Sequence, residues 1–196
     1  MTALQTIRVE HRALAAVLHG LQWLAREMRI QAGDGDFEVL AAMVYYIDAF
    51  PERFHHPKED RYVFALLRVR CPAAAPLLDA LIGEHETGAQ KVRLLEQALT
   101  RFRAAGAPEY AAFAAAVEDY VAFEFAHMRR EEHEVLPLAE AHLVASDWQL
   151  IDRAFTGHAD PLLGTPHADQ WDKLFSSIVA LAPAPIGLGA ARASAS

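Results

Sequence analysis

Glu52-Arg53-Phe54-His55-His56-Pro57-Lys58-Glu59 and Glu124-Phe125-Ala126-His127-Met128-Arg129-Arg130-Glu131 share one spacing, Glu-x-x-His-x-x-x-Glu, at an offset of 72 residues. Upstream of each stands a Glu-His pair, Glu10-His11 before the first and Glu84-His85 before the second, 74 residues apart. The order His, then His-x-x-x-Glu, therefore occurs twice. In an α-helix, residues four apart differ by about 40° in azimuth and about 6 Å in rise, so His127 and Glu131 leave the same side on adjacent turns. Imidazole and carboxylate on matching faces of four successive segments are what a two-metal site in a helical bundle requires. The repeat predicts an all-α fold.

Apolar periodicity around the repeat agrees. Leu4, Ile7, His11, Leu14, Leu18, Leu21 and Met28 recur at three- and four-residue steps, which predicts a helix over about 2–29. Ala32-Gly33-Asp34-Gly35-Asp36 breaks it and offers an N-cap. A second helix follows from about Phe37 toward Arg68, with Leu40, Val44, Ile47 and Phe54 inward. Pro57 lies inside it, removes a hydrogen bond to the Arg53 carbonyl and crowds that oxygen. A bend or local break is expected between His55 and Glu59, and Pro51 marks a second irregularity.

Cys71-Pro72-Ala73-Ala74-Ala75-Pro76 separates the two copies of the repeat. A third helix, about 77–104, carries Leu78, Leu81, His85, Val92 and Leu95 inward, and Gly106-Ala107-Pro108 turns the chain. A fourth, about 109–142, carries Phe113, Val117, Tyr120, His127 and Leu138. Short connections favour antiparallel neighbours, hence an up-down-up-down four-helix bundle, assigned to residues 1–143. A helical extension is assigned to 144–181, with Ser146-Asp147 capping a short helix through Phe155 and a last helix near 169–181. Residues 182–196, rich in Ala, Pro, Gly and Ser, read as a disordered tail.

Bulk composition excludes several roles. At 196 residues and 53% hydrophobic, the chain can bury a sizeable core as one domain. A net charge of -8 argues against nucleic acid or an anionic membrane as partner. No run approaches the roughly 18 apolar residues of a membrane span, and the N-terminus lacks a secretory pattern, so a cytoplasmic protein is expected. A single cysteine, Cys71, rules out an intramolecular disulfide and a thiolate zinc site.

Counting donors sharpens the metal reading. His11 and His85 lie on the apolar faces of their helices and supply one nitrogen each, as do His55 and His127, while Glu59 and Glu131 reach across as bridges. Each metal of a pair then has two nitrogens and two oxygens. A bridging oxide or hydroxide is a fifth ligand and leaves a sixth position open. Nitrogen and oxygen ligation without thiolate suits iron, manganese or zinc. An open position beside a redox-capable metal suits dioxygen, nitric oxide or peroxide. A single inward histidine is ordinarily a core residue, and Glu four residues from His is common on solvated helices. Four helices with inward histidines in duplicated order are not ordinary, and six buried ionisable groups without a metal are costly to desolvate.

Glu52 and Glu124, three residues before the ligand histidines, are placed to accept the distal ring N–H of a bound imidazole; the alternative is a solvent-facing position. His56 fills a seventh ligand position if Pro57 rotates it inward. His19, His133, His142, His158 and His167 have no duplicated partner and read as surface residues, and Tyr120 reads as core packing.

These residues resemble the hemerythrin-like HHE cation-binding family, whose pattern is a repeated His, His-x-x-x-Glu. Phe54-His55-His56-Pro57-Lys58-Glu59-Asp60 looks like the bacterial subgroup with a His-His-Pro-x-Glu element. The resemblance covers about residues 1–143 and implies a hemerythrin-like bundle around a non-haem di-iron centre. Carried over by position, its ligands are His11, His55, Glu59, His85, His127 and Glu131. Oxygen-carrying hemerythrins place two histidines four apart on the third helix; here Ala89 and Leu81 flank His85 at that spacing. Reversible oxygen storage therefore does not follow. The implied role is binding or sensing of a small ligand, or iron and redox homeostasis, rather than turnover. A ferritin-like di-iron oxidase or peroxidase is the rival, since Glu52-x-x-His55 and Glu124-x-x-His127 match its Glu-x-x-His element. A structural bundle that recruits a partner is the third reading. The extension after Ser146 is placed to cover the site or to pair two copies as a homodimer.

Overall fold

Thr2 starts the first helix of the computed structural model with a reciprocal cap: its hydroxyl accepts from the Gln5 N–H, and its own N–H donates to Gln5 Oε1. The structure describes residues 2–28 and 34–156, together with Ser176, residues 178–180, Ala182 and residues 187–188. Helix α1 is Ala3–Glu27. Helix α2 occupies residues 34–70 as one unevenly wound rod. It is α-helical over Asp34–Ile47, π-wound over Asp48–His55, α-helical over His56–Lys58, π-wound over Glu59–Phe64, and α-helical over Ala65–Arg70. After a single 3-10 turn, Pro72–Ala74, α3 runs over Ala75–Ala105. Helix α4 joins Ala107–Arg130, a π-wound Glu131–Val135, and Leu136–His142; α5 is Ala145–Thr156.

Of the bend or local break expected at Pro57, the break is absent: α2 stays helical through it, with its winding changing on either side. The ladder just before it already runs five residues back, His56 N–H donating to the Pro51 carbonyl, and the wider turn gives the ring room. Gly106 ends α3 at φ 72, a left-handed conformation that favours glycine, and its N–H donates to the Phe102 carbonyl at 2.8 Å. Pro76 and Pro108 occupy first turns, where their missing N–H costs little. The extension begins one residue before the expected cap. Val144 is the N-cap, and Asp147 reaches back from the first turn to accept its N–H at 3.1 Å.

Helices α1 and α3 each pack against both α2 and α4, the neighbour pattern of an antiparallel four-helix ring. Helix α5 packs across α1 and the Glu59–Phe64 turn, tied down by the Ala3 N–H donating to Asp152 at 2.6 Å and by the Arg70–Asp147 fork at 2.7 and 3.0 Å. Two apolar slabs fill the bundle. One contains Ile7, Val63, Leu81, Val135 and Phe155; the other contains Leu14, Phe54, Val92, Tyr120 and Met128. His11, His55, Glu59, His85, His127 and Glu131 form a polar layer between them. Ile178 and Ala182 are buried with the second slab, although Ala182 reads from sequence as the start of a tail. The rest of the expected helix near 169–181 and of the tail lies outside the described residues. Among the described residues there is no strand, and no helix is long and apolar enough to cross a membrane.

Candidate metal centre

The slabs dictate what happens at their boundary. His11 lies one turn from Ile7 and one from Leu14 on the buried face of α1, so its ring points inward as they do. The same reasoning places His85 between Leu81 and Val92 on α3, and His127 and Glu131 between Tyr120 and Val135 on α4. All six residues of the repeat are buried, none more than 7% exposed.

They meet in two imidazole pairs. His11 Nε2 lies 3.1 Å from His55 Nε2, and His85 Nε2 lies 3.0 Å from His127 Nε2. Two imidazole nitrogens side by side on one ion, each about 2.1 Å from it, are about 3.0 Å apart. Each outer nitrogen faces a carboxylate: His11 Nδ1 lies 3.0 Å from Glu132, His55 Nδ1 2.7 Å from Glu10, His85 Nδ1 2.9 Å from Asp60, and His127 Nδ1 2.9 Å from Glu84. With Nδ1–H donating outward, both Nε2 atoms of a pair turn lone pairs toward one another, an arrangement that calls for a cation between them.

The carboxylates divide themselves between the pairs. Glu59 Oε1 lies 3.2 Å from His55 Nε2 and 3.8 Å from His11 Nε2, while its Oε2 lies 3.9 Å from His85 Nε2. Glu131 Oε1 lies 3.2 Å from His127 Nε2 and 3.5 Å from His85 Nε2, while its Oε2 lies 3.4 Å from His11 Nε2. Glu59 Oε2 and both Glu131 oxygens are buried without a hydrogen-bond donor. Leaving a buried polar atom unpartnered costs about 1–3 kcal/mol. His11-His55-Glu59 and Glu59-His85-Glu131 both have ligand atoms close enough together to hold a metal ion. These nitrogens and carboxylate oxygens are a donor set that fits a bound metal cation.

Electrostatics points the same way. Burial opposes charge on His55, but the Glu59 carboxylate and the Glu10 hydrogen bond hold it well above the usual imidazole range. Against the same burial penalty, Asp60 and Glu131 lift His85 to about 9, and Glu131 lifts His127 to about 10. Glu131, despite burial, is held well below the usual carboxylate range by His127 and His85. Positive charge is favoured between the two glutamates.

Glu52 and Glu124 do not do what the sequence suggests. The carboxylates on the outer ring nitrogens are Glu10, Asp60, Glu84 and Glu132, each adjacent in sequence to a residue of the repeat. The signal was present, because Glu10-His11 recurs as Glu84-His85 and Glu59-Asp60 recurs as Glu131-Glu132. What hid it is that each supports a histidine on a different helix. The π-wound turns beginning at Glu59 and Glu131 carry Asp60 to α3 and Glu132 to α1.

Glu52 and Glu124 instead flank His56, which the chain buries at the α2–α3–α4 junction. His56 Nδ1 lies 3.6 Å from Glu52 Oε2, and its Nε2 lies 3.6 Å from Glu124 Oε1. Tyr120 donates to Glu52 Oε1 at 3.5 Å. Burial, with Glu124 beside it, pushes Glu52 up to about 8; burial also raises Glu124 and lowers His56. Gly88 makes this room, since a Cβ there would sit 2.9 Å from Glu52 Oε1. Lys58, also missed by the sequence reading, is buried with its ammonium 3.5 Å from the Phe54 ring centre. His19, His133 and His142 are exposed, as expected; His158 and His167 lie outside the described residues.

Residues 2–139 match the family model of the hemerythrin HHE cation binding domain. No curated protein matches the chain at a significant level.

Proposed function

Because the chain belongs to the hemerythrin HHE cation binding domain family, we propose that it holds two metal ions, iron first among them, and through them senses or handles a small ligand. His11 and His55 hold one ion, His85 and His127 the other, and Glu59 and Glu131 bridge the two. The observation that carries the reading is the division of each carboxylate, one oxygen toward each imidazole pair. Iron in such a set supplies ligand binding and one-electron exchange with dioxygen, nitric oxide or peroxide; manganese and zinc fit the same donors.

The chain's own groups set the conditions. Glu10, Asp60, Glu84 and Glu132 fix each imidazole with its lone pair inward. The slabs above and below exclude bulk water. The Phe155 ring of α5 stands edge-on to His55 at 6.1 Å, so the extension covers that side of the layer.

The ferritin-like oxidase reading needs bridging glutamates from the first and third helices. There Glu10 and Glu84 instead face the outer nitrogens of His55 and His127, which disfavours it. A purely structural bundle leaves the orphaned Glu59 and Glu131 oxygens without a reason. Metal analysis with anaerobic ferrous titration tests the proposal. The expected result is two ions per chain and a charge-transfer band after oxidation that His127→Ala abolishes. No uptake by folded wild-type protein refutes it.

A further inference from the structure

Arg130 and Lys58 hold the same place in the two copies of the repeat, one residue before Glu131 and Glu59, yet the chain uses the two cations differently. Lys58 is buried with its ammonium 3.5 Å from the Phe54 ring centre. Arg130 instead reaches from α4 to α3, where its Nη1 donates to Glu84 Oε1. The other oxygen of that carboxylate, Oε2, lies 2.9 Å from His127 Nδ1. One carboxylate thus serves a guanidinium and an imidazole at once. We propose that Arg130 is a positioning residue of the metal centre, which acts through Glu84 on His127 and raises the reduction potential of an iron ion held there. The inference rests on the two-metal reading above and deepens it.

This arrangement sets Glu84 apart from the other three outer carboxylates. Glu10 faces His55, Asp60 faces His85 and Glu132 faces His11, and among the described residues none of the three forms an ion pair with a lysine or arginine. Arg8 acts on Glu132 only at longer range and pairs with Glu140 at 3.9 Å. Arg130 is itself anchored, because its Nε lies 3.7 Å from Glu134, one turn further along α4. The Arg130 side chain is 32% exposed and that of Glu84 26%, so the pair stands at the rim of the polar layer, partly shielded from water.

The chemistry follows from the sharing. A carboxylate that accepts an Nδ1–H draws that proton outward and makes the imidazole a better electron donor through Nε2, which favours the more highly charged state of a metal there. A carboxylate already engaged by a guanidinium has less negative charge to offer, so its pull on the His127 Nδ1–H weakens. The guanidinium charge also opposes added positive charge nearby, and partial shielding from solvent preserves that effect. Both influences favour ferrous over ferric iron. A pair that only fastened α3 to α4 would contribute little to the fold and leave the potential alone.

In the test, the full chain is loaded anaerobically with ferrous iron and titrated electrochemically while the charge-transfer band of the oxidised centre is followed. Removing an outer partner changes metal affinity about 10- to 100-fold. Changing the strength of one partner is expected to shift the ratio of ferric to ferrous affinity by about threefold to tenfold. Arg130→Gln should therefore lower the midpoint potential by about 28–59 mV, at 59 mV per tenfold for one electron. Arg130→Lys keeps the charge and should recover at least half of that fall. Arg26→Gln makes the same change in net charge at the exposed Arg26–Glu118 pair and should leave the potential unchanged. In a Glu84→Gln background, adding Arg130→Gln should move the potential by less than half as much, because the route through the carboxylate is gone. Metal-free melts check folding, and Arg130→Met takes the place of an Arg130→Gln that does not fold. A fall of less than about 28 mV, a rise, or failure of any of these three comparisons overturns the assignment of Arg130 and leaves the two-metal reading standing. Wild type that takes up fewer than two irons overturns that reading, and the assignment with it.

Discussion

Replacing Glu10 by Ala removes the carboxylate 2.7 Å from His55 Nδ1 and leaves every group of the repeat in place. Loss of such an outer partner typically weakens metal binding 10- to 100-fold, about 1.4–2.7 kcal/mol. With metal in large excess over its dissociation constant, that amount is subtracted from the stabilisation the metal confers on the fold. For a chain of this size, each kcal/mol moves the melting temperature by about 2–4 °C. The metal-induced rise in melting temperature should therefore be about 3–11 °C smaller in Glu10→Ala than in wild type. Glu10 is partly exposed, so water replaces it in the metal-free protein, and the comparison of loaded against metal-free melts cancels what remains. Paired anaerobic melts with and without ferrous iron, alongside chelator competition, make the measurement. Glu118→Ala, at the exposed Gln22–Arg26–Glu118 contact, serves as the control and should leave the metal-induced rise unchanged. If Glu10→Ala keeps the wild-type rise and the wild-type competition curve, the outer carboxylates do not fix the imidazoles and the reasoning fails.

Glu131→Gln removes one of the two proposed bridges, and metal analysis should find at most one ion per chain where wild type is expected to hold two. Phe155→Ala empties a buried position between α5 and His55 and should cost about 3–5 kcal/mol of stability, seen in thermal or denaturant unfolding. Gly106→Ala meets no steric neighbour, so its cost is the left-handed backbone alone, about 1–3 kcal/mol by the same melts. The Arg70 fork holds Asp147 below the usual carboxylate range. Its contribution is therefore complete above the ordinary carboxylate value and lost as pH falls through the lowered folded value. Below about pH 4 the stability gap between wild type and Asp147→Asn should close; a gap that widens on acidification contradicts the pairing.

The helices were legible because their apolar residues recur at the helical period. The six residues of the repeat were legible because duplication turns weak single signals into one strong one. That α2 runs through Pro57 without a break was not legible, because an α-helical ladder was assumed and i→i+5 winding is not encoded in apolar spacing. Glu52 and Glu124 misled because adjacency along one helix was taken for adjacency in space. The outer carboxylates cross between helices instead, and no pattern within a single segment reports a crossing. His56 was left open for the same reason: its direction depends on how α2 is wound, which only the backbone discloses.

Each slab of the core is closed by the polar layer rather than by the other slab, so the molecule is two small hydrophobic cores riveted at a shared seam. With cations at the seam, as proposed, the two halves would unfold as one; without them the four helices meet across a layer of buried imidazoles and carboxylates, several of whose oxygens lack a hydrogen-bond donor. Backbone amides beside the seam are then the first to exchange with solvent. A chain built this way would convert the supply of metal into resistance to unfolding, and thereby into a longer lifetime in the presence of proteases.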